Sequence, residues 1–228
     1  MTKHSRCMQK RNMLVTGASG FVGTHAIPYF NRKYNTTIIS FKDKKVSEVD
    51  LNSYQVILHL AGIAHQTKEL PDSYYHDVNY TLTVDLAKKA SKEGVSHFIF
   101  LSSVKVYGEH IDHPVNEQSP CHPGDAYAKS KFEAEAEILK LNSTSFTVSV
   151  IRPALVYGKN VKGNLDNLIS LIKKYPVIPL GNIHNKRSLV FVGNLLALID
   201  TIVEKKQPGI FIACDINDIS TSSLCFNS

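Results

Sequence analysis

Six short runs of this chain, at 12–16, 37–41, 55–61, 97–102, 147–152 and 209–213, are apolar at nearly every position rather than at every second one. A strand with one face in water alternates polar and apolar residues, so runs of this kind read as strands covered on both faces. The segments between them, at 20–30, 73–92, 126–141, 164–174 and 193–205, carry helical spacing. Strands that alternate with helices are joined by crossovers, and crossovers build a parallel sheet with helices on both faces. The expected fold is therefore α/β, a doubly wound parallel sheet. Helix punctuation agrees: Asp72 stands at an N-cap position, Gly94 follows the end of the same helix, and Pro28 should bend or shorten the first helix. Tyr74 and Tyr75 are expected to pack against the sheet. The stretch 109–125, rich in His, Pro and Asp without periodicity, reads as a loop.

Composition narrows the class. With 228 residues, 43% hydrophobic and 20% charged, the chain can bury a full core and is neither disordered nor fibrous. No apolar run reaches the roughly 18 residues that span a bilayer; the longest, 191–203, is interrupted by Asn194 and Asp200. The basic N-terminus (Lys3, Arg6, Lys10, Arg11) lacks the apolar stretch and cleavage site of a signal peptide, so a cytoplasmic location and no membrane partner are expected. Cys7, Cys121, Cys214 and Cys225 are scattered without paired spacing and read as reduced thiols. The net charge of +6 is spread along the chain without a nucleic-acid recognition module, and it suits phosphorylated small molecules.

Directly after the first run comes Thr16-Gly17-Ala18-Ser19-Gly20-Phe21-Val22-Gly23, with a glycine at every third position where strand turns into helix. Glycines there allow a tight turn and let backbone N–H groups approach a pyrophosphate at the helix N-terminus. Dinucleotide binding is the reading of this loop. Farther on, Leu101-Ser102-Ser103-Val104-Lys105-Val106-Tyr107-Gly108 precedes Tyr127-Ala128-Lys129-Ser130-Lys131. Residues four apart share a helix face, so Tyr127 and Lys131 can point into one pocket. An ammonium beside a phenol favours phenolate and should bring the tyrosine below its ordinary value near ~10. On its own this spacing is common; its weight comes from the company it keeps.

That company includes His59-Leu60-Ala61-Gly62 after a strand, Asn79, and Ile151-Arg152-Pro153-Ala154-Leu155-Val156-Tyr157-Gly158. Taken in order over nearly the whole length, these pieces resemble the extended short-chain dehydrogenases/reductases, specifically the nucleotide-sugar epimerase/dehydratase group. The resemblance implies a Rossmann-type dinucleotide-binding domain over 12–160, a basic extension at 1–11, and a small, incomplete substrate lobe over 161–228 interleaved with the last elements of the sheet. It implies that Gly17, Gly20, Phe21, Val22 and Gly23 line the pyrophosphate, with Leu60, Ala61, Gly62, Asn79 and Pro153 also against the cofactor. By the same carry-over Ser103 is the catalytic hydroxyl that also touches substrate, Tyr127 the acid/base, and Lys131 the ribose ligand that lowers the tyrosine pKa. Asn164 and Arg187 would hold the nucleotide and its diphosphate, and an arginine suits phosphate oxygens.

Two departures qualify the carry-over. Where NAD-preferring members place an acid after the second strand, this chain has Phe41, followed by Lys42, Asp43, Lys44 and Lys45. Lysines there could meet a 2′-phosphate, so the cofactor stays open between NAD and NADP. The chain also ends soon after the run at 209–213, earlier than the resemblance implies for the substrate lobe, as in a shortened member. His110, Asp112, His113, Cys121 and His122 share a loop, but the implied chemistry needs no metal; His59 reads as a packed core histidine. The implied activity is 4-epimerisation of a UDP-hexose or UDP-N-acetylhexosamine through a 4-keto sugar, in surface-polysaccharide precursor synthesis. A UDP-4-keto-sugar reductase and a catalytically idle dinucleotide-binding protein are the alternatives. A dehydratase fits less well, since Val104-Lys105 stands where those enzymes carry an Asp-Glu pair. A homodimer contact through helix 126–141 is compatible with the resemblance.

Overall fold

The computed structural model describes residues 10–63, 70–109, 111, 113–161 and 188–216. Its centre is a six-stranded sheet built from β1 (Asn12–Thr16), β2 (Asn35–Ile39), β3 (Val56–His59), β4 (His97–Leu101), β5 (Thr147–Pro153) and β8 (Gly209–Ala213), in the order β2-β1-β3-β4-β5-β8. Every pairing in it is parallel. β1 has β2 on one side and β3 on the other, so the strand order reverses direction there. That is the switch point at which doubly wound sheets leave a crevice.

The continuous apolar runs are explained by burial on both faces. Met13 and Val15 of β1, Leu58 of β3 and Ile99 of β4 face a core closed by α1 (Phe21–Phe30) and α5 (Val192–Lys205). Leu14, Ile57, Phe98 and Phe100 face the opposite core, closed by α3 (Leu82–Lys92) and α4 (Ala126–Leu139). Alternate residues of one strand therefore feed two cores, and the polar side chains that remain in the strands, such as His59 and Arg152, are buried with them. Between β5 and α5 lies a second, two-stranded parallel sheet of β6 (Leu155–Tyr157) and β7 (Leu189–Phe191).

Several expected boundaries move. β2 spans Asn35–Ile39 rather than 37–41, because its register is dictated by β1, from Asn12↔Asn35 to Thr16↔Ile39, and β1 ends where Gly17 turns away. It is also an exposed edge rather than a strand covered on both faces, with Ile38 53% exposed. The helix expected at 73–92 is a short α2 (Asp72–Tyr75), a π-helical turn at His76–Thr81, and α3. Asp72 does not cap it: Pro71 holds the cap position, and Asp72 lies in the first turn, where a carboxylate suits the helix dipole. Gly94 does follow the helix end, with φ +77°. Tyr75 packs inward as expected, whereas Tyr74 is 49% exposed. Pro28 sits inside α1 two residues from its end. The strands β6 and β7 were invisible as separate elements in the apolar pattern, and the helix expected at 164–174 lies outside the described residues. Among the described residues no helix is long and apolar enough to cross a membrane.

Ile99 is fully buried at the middle of β4, inside the core under α1 and α5. Ile99→Ala should cost about 2–5 kcal/mol of stability, read as a lower urea midpoint with an unchanged slope; a loss below 1 kcal/mol would show that this core is not the one that holds the sheet.

Candidate active site

The carboxyl ends of β1, β3, β4 and β5 form one edge of the sheet, and the residues singled out by motif cluster along it. At the end of β1, Gly17 has φ +73°, and a Cβ there would lie 2.5 Å from the Ala61 N and 2.6 Å from the Leu60 carbonyl carbon. Gly23 is tighter still, since its Cβ would come 2.2 Å from the Gly17 O and 2.6 Å from the Ala18 Cα. Only hydrogen at these positions lets the turn, the start of α1 and the segment after β3 lie against one another. Gly20 is different: it N-caps α1 without a side-chain hydrogen bond, and its N–H bonds back to the Gly17 O at 3.0 Å. The first turn of α1 has no acid, so its N–H groups stand ready for an anion. Phe21 and Val22 are half-buried in that turn and pack against the α5-side core.

Leu60, Ala61 and Gly62 run from Gly17 towards Lys131. A Cβ on Gly62 would lie 2.8 Å from the Lys131 Nζ and 2.9 Å from the Asn79 Oδ1. Asn79, fully buried in the π-helical turn, accepts the Ile63 N–H at 2.8 Å, and its amide donates to the Ile63 O and to the Ser130 Oγ, each at 3.1 Å. A π turn adds a residue to a helix and rotates what it carries, a device common at functional sites. Here it holds Asn79 between the strand end and α4.

Lys131, 4% exposed, donates to the Leu101 O at 2.9 Å and lies 4.5 Å above the Phe100 ring. Burial lowers its pKa to about 7, and the Glu135 carboxylate opposes that shift. Tyr127, half-buried, lies one turn earlier on α4, and the Ser103 hydroxyl is near enough to favour its phenolate. Its phenol is pushed up, first by burial and also by Asp125 and Glu135, while the Ser103 hydroxyl pulls it down. The expected lowering by Lys131 is thus corrected: in the protein alone burial dominates, and it acts on both partners in opposite directions. Ser103 caps the 3₁₀ turn Val104–Tyr107 and accepts the Lys105 N–H at 3.2 Å. The neighbouring Ser102 Oγ is buried without a partner among the described residues. Pro153 ends β5, buried and paired in register with Ala213.

The structure therefore brings together the glycine turn, Leu60–Gly62, Asn79, Ser103, Tyr127 and Lys131 along one edge, with Pro153 at the end of the next strand. Asn164 and Arg187 lie outside the described residues, as do His110 and Asp112. The fully buried His59 is held by Thr16 at 2.7 Å and Thr83 at 2.9 Å, and burial lowers its pKa to about 3, so it is a neutral core histidine. Of the basic residues after β2, Lys44 and Lys45 line an open cavity of about 730 Å³ with Lys88, Lys89 and Lys92 of α3. Sequence reading missed Ser102 and Ser130, which share their signals with ordinary strand and helix residues. It also passed over Arg152 and Glu135, 2% and 1% exposed. An arginine inside the apolar run 147–152 was the available sign, since a buried charge requires a partner.

The edge suits a dinucleotide: Gly17 and Gly23 permit the tight turn that presents the first N–H groups of α1, and no acid stands in that turn to repel a pyrophosphate. The buried lysine sets a pH signature. Unfolded, Lys131 titrates near ~10.4, and folded near 7, so between these values the unfolded chain binds the extra proton and stability rises with pH. Below about 7 both states are charged and the full penalty remains. Lys131→Met should therefore stabilise the dinucleotide-free protein most below neutral pH, with the advantage fading towards pH ~10. Urea denaturation across that range checks it, and a pH-independent difference would contradict the assigned burial.

The model of the NAD dependent epimerase/dehydratase family matches residues 13–214. A UDP-glucose 4-epimerase of Vibrio cholerae is 35% identical over 94% of this chain, which spans 74% of that protein's length. An N-acetyl-alpha-D-glucosaminyl-diphospho-ditrans,octacis-undecaprenol 4-epimerase of Escherichia coli O157:H7 is 33% identical over 82% of this chain and 62% of its own length. Among solved structures, a UDP-N-acetylglucosamine 4-epimerase from Methanobrevibacter ruminantium M1 superposes with a TM-score of 0.83 over 96% of this chain and 81% of that one, at 19% identity. With the family model covering most of its length and a relative above 30% identity, the chain belongs to the NAD dependent epimerase/dehydratase family.

Proposed function

We propose that the chain is a nucleotide-sugar 4-epimerase that uses NAD or NADP and acts on a UDP-hexose or UDP-N-acetylhexosamine. The observation that carries this reading is the convergence of Ser103, Tyr127 and Lys131, the last two one turn apart on α4 and Lys131 anchored to the Leu101 carbonyl, at the sheet edge that holds the glycine turn. Two named relatives are 4-epimerases of diphosphate-linked sugars, which supports the reaction class. Gly17, Gly20, Phe21, Val22 and Gly23 would surround the pyrophosphate, with Leu60, Ala61, Gly62, Asn79 and Pro153 completing the dinucleotide cradle. Asn164 and Arg187 are proposed for the nucleotide diphosphate of the sugar.

Tyr127 takes the proton from the sugar 4-hydroxyl and returns it after the sugar has presented its other face. Ser103 has its acceptor side occupied by the Lys105 N–H, so its own proton is free for the phenol or the sugar oxygen. Lys131, titrating near 7, holds a positive charge on part of the molecules at neutral pH and anchors to the Leu101 carbonyl, which fixes its reach. Burial opposes phenolate at Tyr127, so the centre needs added positive charge to work at neutral pH. An oxidised nicotinamide, when bound, supplies that charge and exchanges a hydride with the sugar carbon. Leu101, Phe100 and the buried Ser102 keep water from beneath the reacting groups. The absence of an acidic pair after Ser103, where Val104 and Lys105 stand, argues against dehydration.

Incubation with UDP-glucose or UDP-N-acetylglucosamine and NAD, followed by proton NMR, should show conversion to the 4-epimer. Tyr127→Phe should lower kcat by about 10²–10⁴-fold with little change in thermal stability. Dinucleotide binding without any interconversion would overturn the epimerase reading. The exposed lysines after β2 favour a reductase as the second reading; a prepared 4-keto sugar with NADPH, followed by nicotinamide absorbance, tests it. Equal or tighter binding of NAD than of NADP would remove the reason for it.

A further inference from the structure

One guanidinium joins three of the elements that carry the candidate site. Arg152 lies in β5 next to Pro153 and is 2% exposed. Its Nε donates to the two carboxylate oxygens of Glu135 at 3.2 and 3.1 Å, and its Nη2 donates to Oε2 at 2.5 Å. Glu135 is on α4, one helical turn beyond Lys131 and two beyond Tyr127, hence on the same face. The remaining arm, Nη1, donates to the Tyr107 hydroxyl at 2.7 Å, and the guanidinium carbon lies 4.8 Å from that ring's centre. Tyr107 ends the 3₁₀ turn that Ser103 begins. The helix of the acid/base, the turn of the catalytic hydroxyl and the strand leading to Pro153 thus meet at one side chain.

We propose that Arg152 and Glu135, with Tyr107, are the positioning residues of the proton-handling centre, holding Ser103, Tyr127 and Lys131 in mutual register. The proposal rests on the epimerase reading for the identity of that centre. Stability alone does not explain the cluster, because an apolar set of similar volume is often as stable as a buried ion pair. What an apolar set lacks is direction: a planar fork fixes two partners at set angles, and here they belong to two different elements. The carboxylate has a second role. Facing Lys131 are Tyr127 and Glu135 from its own helix, neutral His59 from β3, the Leu101 carbonyl and Phe100 ring of β4, and the Asn79 amide of the π turn. Among these Glu135 is the acid, and it favours the charged lysine.

Two measurements test this. In Tyr107→Phe and in Arg152→Lys, the arm to the Ser103 turn is lost while Glu135 keeps a cation or its original partner. Each should lower kcat about tenfold, with the KM for UDP-sugar and the dissociation constant for NAD unchanged within about twofold; the double variant should be no worse than either single. A folded single variant with wild-type kcat overturns the proposal. The second measurement needs no turnover: the carbon-13 shift of the Lys131 side chain, assigned with Lys131→Arg, is followed against pH in the dinucleotide-free protein. Glu135→Gln should move the midpoint down by about one pH unit; if that single variant fails to fold, the charge-free pair Glu135→Leu/Arg152→Met, which removes a cation as well, should move it down by less. An unmoved midpoint in a folded variant overturns the proposal. Absence of turnover in the unaltered protein counts against the epimerase reading alone, since the lysine titration then decides this one.

Discussion

Parallel pairing at β1 is the constraint on which the rest of the molecule depends. β1 hydrogen-bonds to β2 on one side and β3 on the other, and both pairings end at Thr16 because Gly17 adopts a left-handed turn that no ladder can follow. All strands run the same way, so their carboxyl ends fall on one edge. Beyond that edge lie the glycine turn, Leu60–Gly62, the Ser102–Ser103 pair and Pro153, which the chain visits far apart in sequence. The crevice follows from topology, since the connections out of β1 and out of β3 leave in opposite directions. The side chains then need only short reach.

Beneath the edge runs a buried polar chain whose direction can be worked out. Thr83 donates to the Asn79 O at 2.7 Å, so its oxygen accepts from the His59 Nε2 at 2.9 Å. His59 must then accept at Nδ1, and Thr16 donates to it at 2.7 Å while accepting the Ala61 N–H at 3.3 Å. Each member uses one donor and one acceptor, which leaves a single arrangement and a neutral imidazole. The ring stacks on Phe100 at 5.8 Å between centres, and Phe100 also carries the Lys131 ammonium. The β1 turn, the β3 exit, the π turn and α4 are joined by this chain.

The fold class was legible because two-sided burial leaves a mark on composition: β1 and β8 are bounded as the apolar runs are, and β4 and β5 within one residue. β2 was misplaced because an edge strand is defined by its neighbour's register rather than by its own hydrophobicity. The π turn was unreadable, since His76–Thr81 has ordinary helical composition and its extra residue is imposed by the fit of Asn79 between Ile63 and Ser130. At the candidate site, motif order named the residues that the structure gathers. It could not supply their electrostatics, because the charge state of Lys131 depends on depth and on Glu135, four residues on, whose burial nothing in local sequence announces.

That last point changes how the centre works in the proposed reaction. A lysine beside a tyrosine in water would make the phenol more acidic, but here the pair is buried, and burial penalises ammonium and phenolate alike. The neutral forms of both are favoured, with the proton resting on the phenol and Lys131 poised near 7. The pair alone therefore does not generate a base at neutral pH. The Ser103 hydroxyl favours the phenolate, whereas the Glu135 carboxylate held against Arg152 favours the lysine charge and opposes the phenolate. Ser103 alone falls short of offsetting burial at the tyrosine, and in the proposed reaction the missing increment would be positive charge delivered to the crevice. Proton transfer would thereby be conditional on loading, because the residues proposed to bind and those proposed to react share the electrostatics of one edge.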